Sequence, residues 1–358
     1  MPIQVQSNSP LQSLPDDYCI DGADKWFVIP EGFDKGKKLF YSDYEPASGV
    51  IEKTVLFVHG NPECSYTYRH ARDELLSKNA NLRIICPDHI GMGISDQADF
   101  EMVDMHHSEN LRLLIEHLDL RHVVLVLHDW GGPIGVGAFL DQMDRVDSLV
   151  LMNTTVFPMP SDGILYTNWP LKYIPWSSFG HLIPDMFWGG VAAYVLQGAN
   201  PGGLVKLYAN SVIFQCRFAL RNFSKGTAGY VFSEALRGSA NARSSKRNLL
   251  QTPYWGHGYR YKDKKYGIQD NHEFYRKIQA QLPKFWGPEG RNIPVAAHIG
   301  EYDPCGKESV RKQWLEALPR LADNLHVYSD MGHFIEEYKG PEIAQSILEV
   351  SDLEIGKI

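Results

Sequence analysis

The chain has little that would tie it to a disulfide framework, a membrane span or a nucleic acid. Its five cysteines, Cys19, Cys64, Cys86, Cys216 and Cys305, are odd in number, scattered, and show no C-x-x-C spacing. Such a set suits reduced thiols better than paired ones or a zinc site. No block of Lys or Arg is present, and the net charge of −8 with a pI near 6.0 argues against a nucleic-acid surface. The opening MPIQVQSNSPLQSLPDDY lacks the basic and apolar regions of a signal peptide. The longest apolar stretch, residues 186–196, is too short to span a bilayer. Nor is there an H-E-x-x-H motif or a Cys/His cluster to call for a metal. The expectation is a cytoplasmic enzyme with no cofactor, no metal, no nucleic-acid partner and no membrane span.

What is present is a chain of 358 residues, long enough for a core domain and one substantial elaboration. Apolar runs of strand length occur at residues 54–58 (TVLFV), 83–86 (RIIC), 122–127 (HVVLVL) and 147–152 (DSLVLM). Between them, residues 72–78, 104–118 and 134–143 carry apolar positions three or four apart. The texture returns with a strand at 293–299 (IPVAAHI), a helix at 308–318, a strand at 325–328 and a helix at 341–350. Nearly continuous apolar strands alternating with helices predict an α/β fold with a doubly wound, mostly parallel sheet. The middle differs: it shows no such alternation and gathers Trp169, Trp176, Trp188 and Trp255 with many tyrosines. We read residues 158–284 as an inserted, mainly helical cap, and residues 1–157 and 285–358 as the core. A plain helical subdomain would have the same texture.

The chemistry centres on VLHDWGG at residues 126–132, where an apolar strand ends and a helical pattern begins at once. A nucleophile on a tight strand-to-helix turn needs small neighbours, because the backbone is crowded there. Gly131 and Gly132 meet that need, although Leu127 stands where the usual pattern has glycine. The residue in the nucleophile slot is Asp129, with no G-x-S-x-G at this junction. An aspartate there can equally cap the next helix. Three other segments separate these readings. His59-Gly60-Asn61-Pro62 follows the first apolar strand, where such a fold builds part of its oxyanion hole. Asp303 follows the strand at 293–299, and His333 follows the strand at 325–328. Nucleophile, acid and histidine come in the order that the α/β-hydrolase fold requires.

The segments HGNPECSYTYRH (59–70), PDHIGMGISD (87–96), HDWGGPIG (128–135), LMNTTVFP (151–158), GEYDPCG (300–306) and MGHFIEE (331–337) resemble the haloalkane dehalogenase family. The resemblance covers nearly the whole chain apart from the N-terminal extension and parts of the cap. It implies an α/β-hydrolase fold with Asp129 as nucleophile, His333 as base and Asp303 as the acid that orients it. It also implies that Asn61 and Trp130 hold the leaving halide; core packing for Trp130 and a turn for Asn61 are the plainer alternatives. With its acid after the later strand, the chain resembles the third dehalogenase subfamily. The PDHIGMG and LMNTTVFP wording is similar to β-lactone decarboxylases of long-chain olefin synthesis, which lie in that subfamily. Epoxide hydrolases are related too, but usually carry an aromatic residue at the position of Asn61 and use two cap tyrosines; Tyr166, Tyr173, Tyr254 and Tyr259 are available here. A binding protein on the same fold would be expected to have a broken triad.

The resemblance implies a two-step reaction on a small apolar substrate, a haloalkane or a β-lactone. A carboxylate needs no deprotonation to attack saturated carbon. Asp129 displaces the leaving group and forms an alkyl ester, which water activated by His333 then hydrolyses.

Overall fold

The computed structural model describes residues 3–78, 81–167, 169, 180–196 and 204–352. Tyr173 and Trp176, named among the cap aromatics, lie outside the described residues. Eight strands form one sheet: β1 (Asp24–Val28), β2 (Lys38–Tyr44), β3 (Lys53–Val58), β4 (Leu82–Pro87), β5 (Val123–His128), β6 (Val146–Met152), β9 (Val295–Gly300) and β10 (Leu325–Tyr328). Their order is β1-β2-β4-β3-β5-β6-β9-β10. The pairings from β4 through β10 are parallel, whereas β1–β2 and β2–β4 are antiparallel. A short hairpin, β7 (Arg260–Asp263) with β8 (Gly267–Asp270), stands apart from the sheet.

The continuous apolar strands are explained by burial on both faces. In β3, Leu56 and Val58 enter one core while Val55 and Phe57 enter the other. β5 repeats the division, Leu125 and Leu127 on one side and Val124 and Val126 on the other. The first face is covered by α2 (Asp104–His117), α3 (Gly131–Ala138) and α8 (His272–Trp286), through residues such as Leu111, Ile134 and Ile278. The second is covered by α1 (Arg69–Ser77) and α10 (Gly340–Val350), through Ala71, Leu75, Ile343 and Ile347. α9 (Glu308–Ala317) links β9 towards β10. Between β6 and β9 the chain runs through α4 (Asp185–Leu196), α5 (Leu204–Ala219), α6 (Ala228–Ala235), α7 (Ser239–Leu250), the hairpin and α8.

β1 and β2 have no counterpart among the strands expected from sequence. β2 is mostly buried, but its residues KLFYSDY mix polar and apolar types without a long run. Pairing with β1 and β4 makes it a strand. The helix expected at 134–143 begins three residues earlier and ends at Ala138. The N-terminal extension is packed: Arg72 donates to the carbonyls of Tyr18 and Asp17, and the Tyr18 hydroxyl donates to Asp88 at 2.7 Å.

Candidate active site

Asp129 sits between the end of β5 and the start of α3 with φ of +51°. That left-handed conformation is uncommon for a side chain other than glycine and costs of order 1–2 kcal/mol, which the surrounding bonds must offset. Thr154 holds the turn by donating to the Asp129 carbonyl at 2.5 Å. Crowding explains two glycines here. A methyl group on Gly131 would run into the carbonyl of Val58, and one on Gly135 would run into the side chain of Leu127. Gly135, on the helix side, therefore makes room for the leucine that replaces the usual strand-side glycine.

The Asp129 carboxylate is 3% exposed and has two neighbours. Its Oδ2 accepts the backbone N–H of Asn61 at 2.7 Å, and its Oδ1 lies 3.3 Å from His333 Nε2. On the far side of the imidazole, Nδ1 meets Asp303 Oδ2 at 2.7 Å. Asp303 is fully buried and also accepts the Cys305 N–H at 2.8 Å and the Tyr166 hydroxyl at 3.0 Å. Three residues from three strand ends, up to 204 positions apart in sequence (333 minus 129), thus form one connected line. Burial works against a charge on His333. The charge of Asp303, with hydrogen bonds to Asp129 and Asp303, overcomes it and raises the imidazole well above its usual range.

Asn61 and Trp130 flank the same carboxylate in the chain, but their side chains are differently engaged. The Asn61 amide is tied to α7: Nδ2 donates to the Ser245 carbonyl at 3.2 Å, and Oδ1 accepts the Ser245 hydroxyl at 2.6 Å. Trp188 of α4 donates to the same hydroxyl oxygen at 2.8 Å. The Trp130 indole is buried and stacks on Trp255 at 3.9 Å, and Trp255 stacks on Tyr166 at 5.5 Å.

Comparison with known proteins gives the fold family. A family profile described as alpha/beta hydrolase fold matches residues 53–339. The chain belongs to the α/β-hydrolase fold family. This α/β-hydrolase is similar to a cis-3-alkyl-4-alkyloxetan-2-one decarboxylase of Shewanella oneidensis, 27% identical over 87% of this chain and 84% of that protein. The namesake from Xanthomonas campestris pv. campestris is 35% identical over 39% of this chain, which spans only 45% of that relative. A haloalkane dehalogenase of Mycolicibacterium paratuberculosis is 26% identical over 87% of this chain and 86% of its own length. Among solved structures, the tetrameric haloalkane dehalogenase DpaA from Paraglaciecola agarilytica NO2 shares the fold, with a TM-score of 0.66 at 22% identity over 94% of this chain and 95% of that one.

Among the described residues, Tyr166, Tyr254 and Tyr259 do not form a pair of free donors. The Tyr166 hydroxyl is engaged by Asp303, Tyr259 accepts from Arg247 at 2.9 Å, and Tyr254 is half exposed. Sequence reasoning missed the role of Tyr166 beside the acid; nothing in its local segment marks it.

A second group missed from sequence lies directly behind His333. His128 Nε2 is 2.8 Å from the His333 carbonyl, and since a carbonyl only accepts, Nε2 carries the hydrogen. That leaves Nδ1 facing Glu63 Oε1 at 2.6 Å and Glu336 Oε1 at 3.5 Å, all three side chains being fully buried. The 2.6 Å contact is not aligned as a regular hydrogen bond. It is nonetheless too short for two bare lone pairs, and shorter than the roughly 3.3 Å between ligands of a tetrahedral ion with bonds of about 2.0 Å. A proton shared across it fits best. Burial, with the charge of Asp129, raises Glu63 well above the usual carboxyl range; burial raises Glu336 to about 7 and lowers His128. Below about pH 7 the cluster is accordingly a neutral one, with Thr67 donating to Glu336 at 2.9 Å.

Proposed function

We propose that this α/β-hydrolase displaces a leaving group from saturated carbon of a small apolar substrate, a haloalkane in the first reading, through a covalent ester on Asp129. The single observation behind this reading is the Asp129 carboxylate lying between the Asn61 N–H and His333 Nε2, with His333 turned by Asp303. A serine would need a base before it could attack; a carboxylate is ready and needs only a dry, aligned approach. Asp129 Oδ1 attacks the carbon while Oδ2 stays on the Asn61 N–H, the carbon–halogen bond breaks, and the halide leaves towards the side-chain N–H groups of Trp130 and Asn61. Residues 158–284 act as the cap over this reaction.

Forming the ester changes His333. The free enzyme favours imidazolium because two carboxylates face the ring. Esterification neutralises Asp129 and leaves Asp303 alone, so the histidine gives up its proton more easily and becomes a base for water. That water adds to the ester carbonyl, and the oxyanion forms next to the Asn61 N–H. Collapse releases the alcohol and regenerates the Asp129 carboxylate.

A second reading, cleavage of a cis-β-lactone, is favoured by the engagement of Asn61 with Ser245. One amide hydrogen is already spent, which weakens a two-donor cradle for a bare halide. A departing carboxylate spreads its own charge and asks less of the protein. Asp129 would open the four-membered ring at the oxygen-bearing carbon, and loss of carbon dioxide would expel Asp129 and leave an alkene. Purified protein incubated with a bromoalkane and with a cis-β-lactone, assayed for bromide and for alkene, decides between them. A clear rate advantage for the lactone replaces the first reading with the second. Failure of both substrates, at concentrations where relatives turn over, defeats the displacement chemistry itself.

A further inference from the structure

The face that α5 turns to solvent is apolar from end to end. Val205, Ala209, Val212, Ile213, Cys216, Ala219 and Leu220 recur at helical spacing and are all exposed, with Val205, Val212 and Leu220 at 86%, 64% and 76%. The opposite side packs inward through Phe214 and Phe218. α4, which packs against α5, opens with exposed Met186 and Phe187, and Leu182 just before it is exposed too. Single exposed apolar residues need no account, but a stripe of this length marks a contact surface.

Charge indicates what covers it. From 204 to 225 the chain carries Lys206, Arg217, Arg221 and Lys225 and no acidic residue at all, within a protein of net charge −8. The four cations are exposed. The acids of the neighbouring helices are already engaged: Asp185 with Lys246, and Glu234 with Arg237. At physiological salt, charges farther than about 8 Å are screened, so the local excess of cations governs this face rather than the acidic total. We propose that α5 docks this protein on the surface of an anionic lipid bilayer, its apolar stripe entering the headgroup boundary and its cations meeting the lipid phosphates and carboxylates. A second copy is a poorer fit, because a two-fold contact through α5 would bring the same cations together. Among the described residues no helix is long and apolar enough to cross a membrane, so the contact is peripheral. It is also independent of the chemistry proposed above.

Flotation of the full chain with phosphatidylcholine vesicles, with and without phosphatidylserine, tests this. Binding is expected only with phosphatidylserine, is expected to fall in high salt, and should weaken about fivefold for each cation removed. Lys206→Gln with Arg221→Asn, both exposed, tests the charge; asparagine is tolerated at the positive φ of Arg221. Val212→Asp with Ile213→Asp tests the stripe, with circular dichroism to verify the fold. Absence of binding to phosphatidylserine vesicles overturns the proposal. So does an oligomer in solution that Val212→Asp with Ile213→Asp converts to monomer, since a copy of the chain would then cover the face.

Discussion

Asn61→Ala separates a residue that acts on substrate from one that only clamps two elements together. The side chain makes two hydrogen bonds to Ser245, at 3.2 and 2.6 Å, and Ser245 is 1% exposed. Alanine takes a second donor from the Ser245 carbonyl, which keeps its partner within α7, and leaves the Ser245 hydroxyl hydrogen without an acceptor, while the hydroxyl oxygen keeps the Trp188 indole as a donor. The structural cost is therefore that of one or two unsatisfied groups, about 1–3 kcal/mol, which lowers Tm by a few degrees. The backbone N–H on Asp129 survives, so the ester's oxyanion keeps its donor. If the remaining amide hydrogen meets the departing halide, losing that charge-assisted bond costs a further 1.5–3 kcal/mol, roughly, in the first step alone. That is roughly a 10- to 150-fold slower burst of bromide release. Ser245→Ala is the control: it frees the amide without removing it, so Tm should fall while the burst stays near the parental rate. Stopped-flow bromide release and calorimetry on the three proteins supply both readouts. An Asn61→Ala variant with lowered Tm and a burst within about twofold of the parent would refute the leaving-group role and leave the residue a clamp.

Asp129→Ala should abolish turnover on either substrate and leave the fold intact; activity above about one-hundredth of the parent is too much for the loss of a nucleophile. His333→Phe should still be alkylated by a bromoalkane but not hydrolyse the ester, so mass spectrometry should find the alkyl group on the peptide containing Asp129; an unmodified peptide after long incubation contradicts the covalent scheme. NMR titration of His333 should give a midpoint above 6.5 in the free protein and a lower one after alkylation of Asp129; an unchanged midpoint removes the proposed trigger for hydrolysis. Glu336 takes up its proton more readily when folded, its carboxyl being raised from 4.5 to about 7. Its contribution to stability is therefore fully present below pH 4.5 and lost as pH rises to about 7. Glu336→Gln cannot lose that proton and should flatten the decline; denaturant melts across this range that overlay the parent's show that Glu336 is not the group responsible.

The parts of the site legible in sequence are those carried by strand ends. β3, β5, β9 and β10 are short, and Asn61, Asp129, Asp303 and His333 follow them by one to five residues. Parallel strands wound in one sense put such ends on one edge of the sheet, so order along the chain is enough to predict their meeting. Local pattern could not reveal what side chains far apart do once they meet. Tyr166 lies in a segment without periodic signal and reaches Asp303 only because the chain after β6 folds back over the β9 turn. Asn61 reads as a turn residue or a halide donor, and only the packing of α7 shows its amide bonded to Ser245, 184 positions away. The antiparallel strand β2 is likewise a product of its partners. Its mixed residues would not hold an extended conformation alone, and it gains one from the edge of β4.

Glu63, His128 and Glu336 carry this point furthest. In sequence they are three ordinary polar residues, one beside Pro62, one before Asp129 and one in the HFIEE segment. Buried together they cannot all be charged, because each ion would have to forgo its hydration for a single partner. The neutral arrangement that results fixes the tautomer of His128. That tautomer supplies the N–H that holds the His333 carbonyl at 2.8 Å, with Asn153 donating to the same oxygen at 3.1 Å. The backbone of His333 is thus held by groups whose protonation depends on burial, while its ring is held by Asp303. A carboxylate regained by Glu336 above neutral pH would place a negative charge 3.5 Å from His128, whose ring lies 4.7 Å from the imidazole of His333. A negative charge on that side favours the protonated form of His333. The state of the buried acids is therefore coupled to the histidine proposed to carry the second half of the reaction, through an element that no linear motif displays.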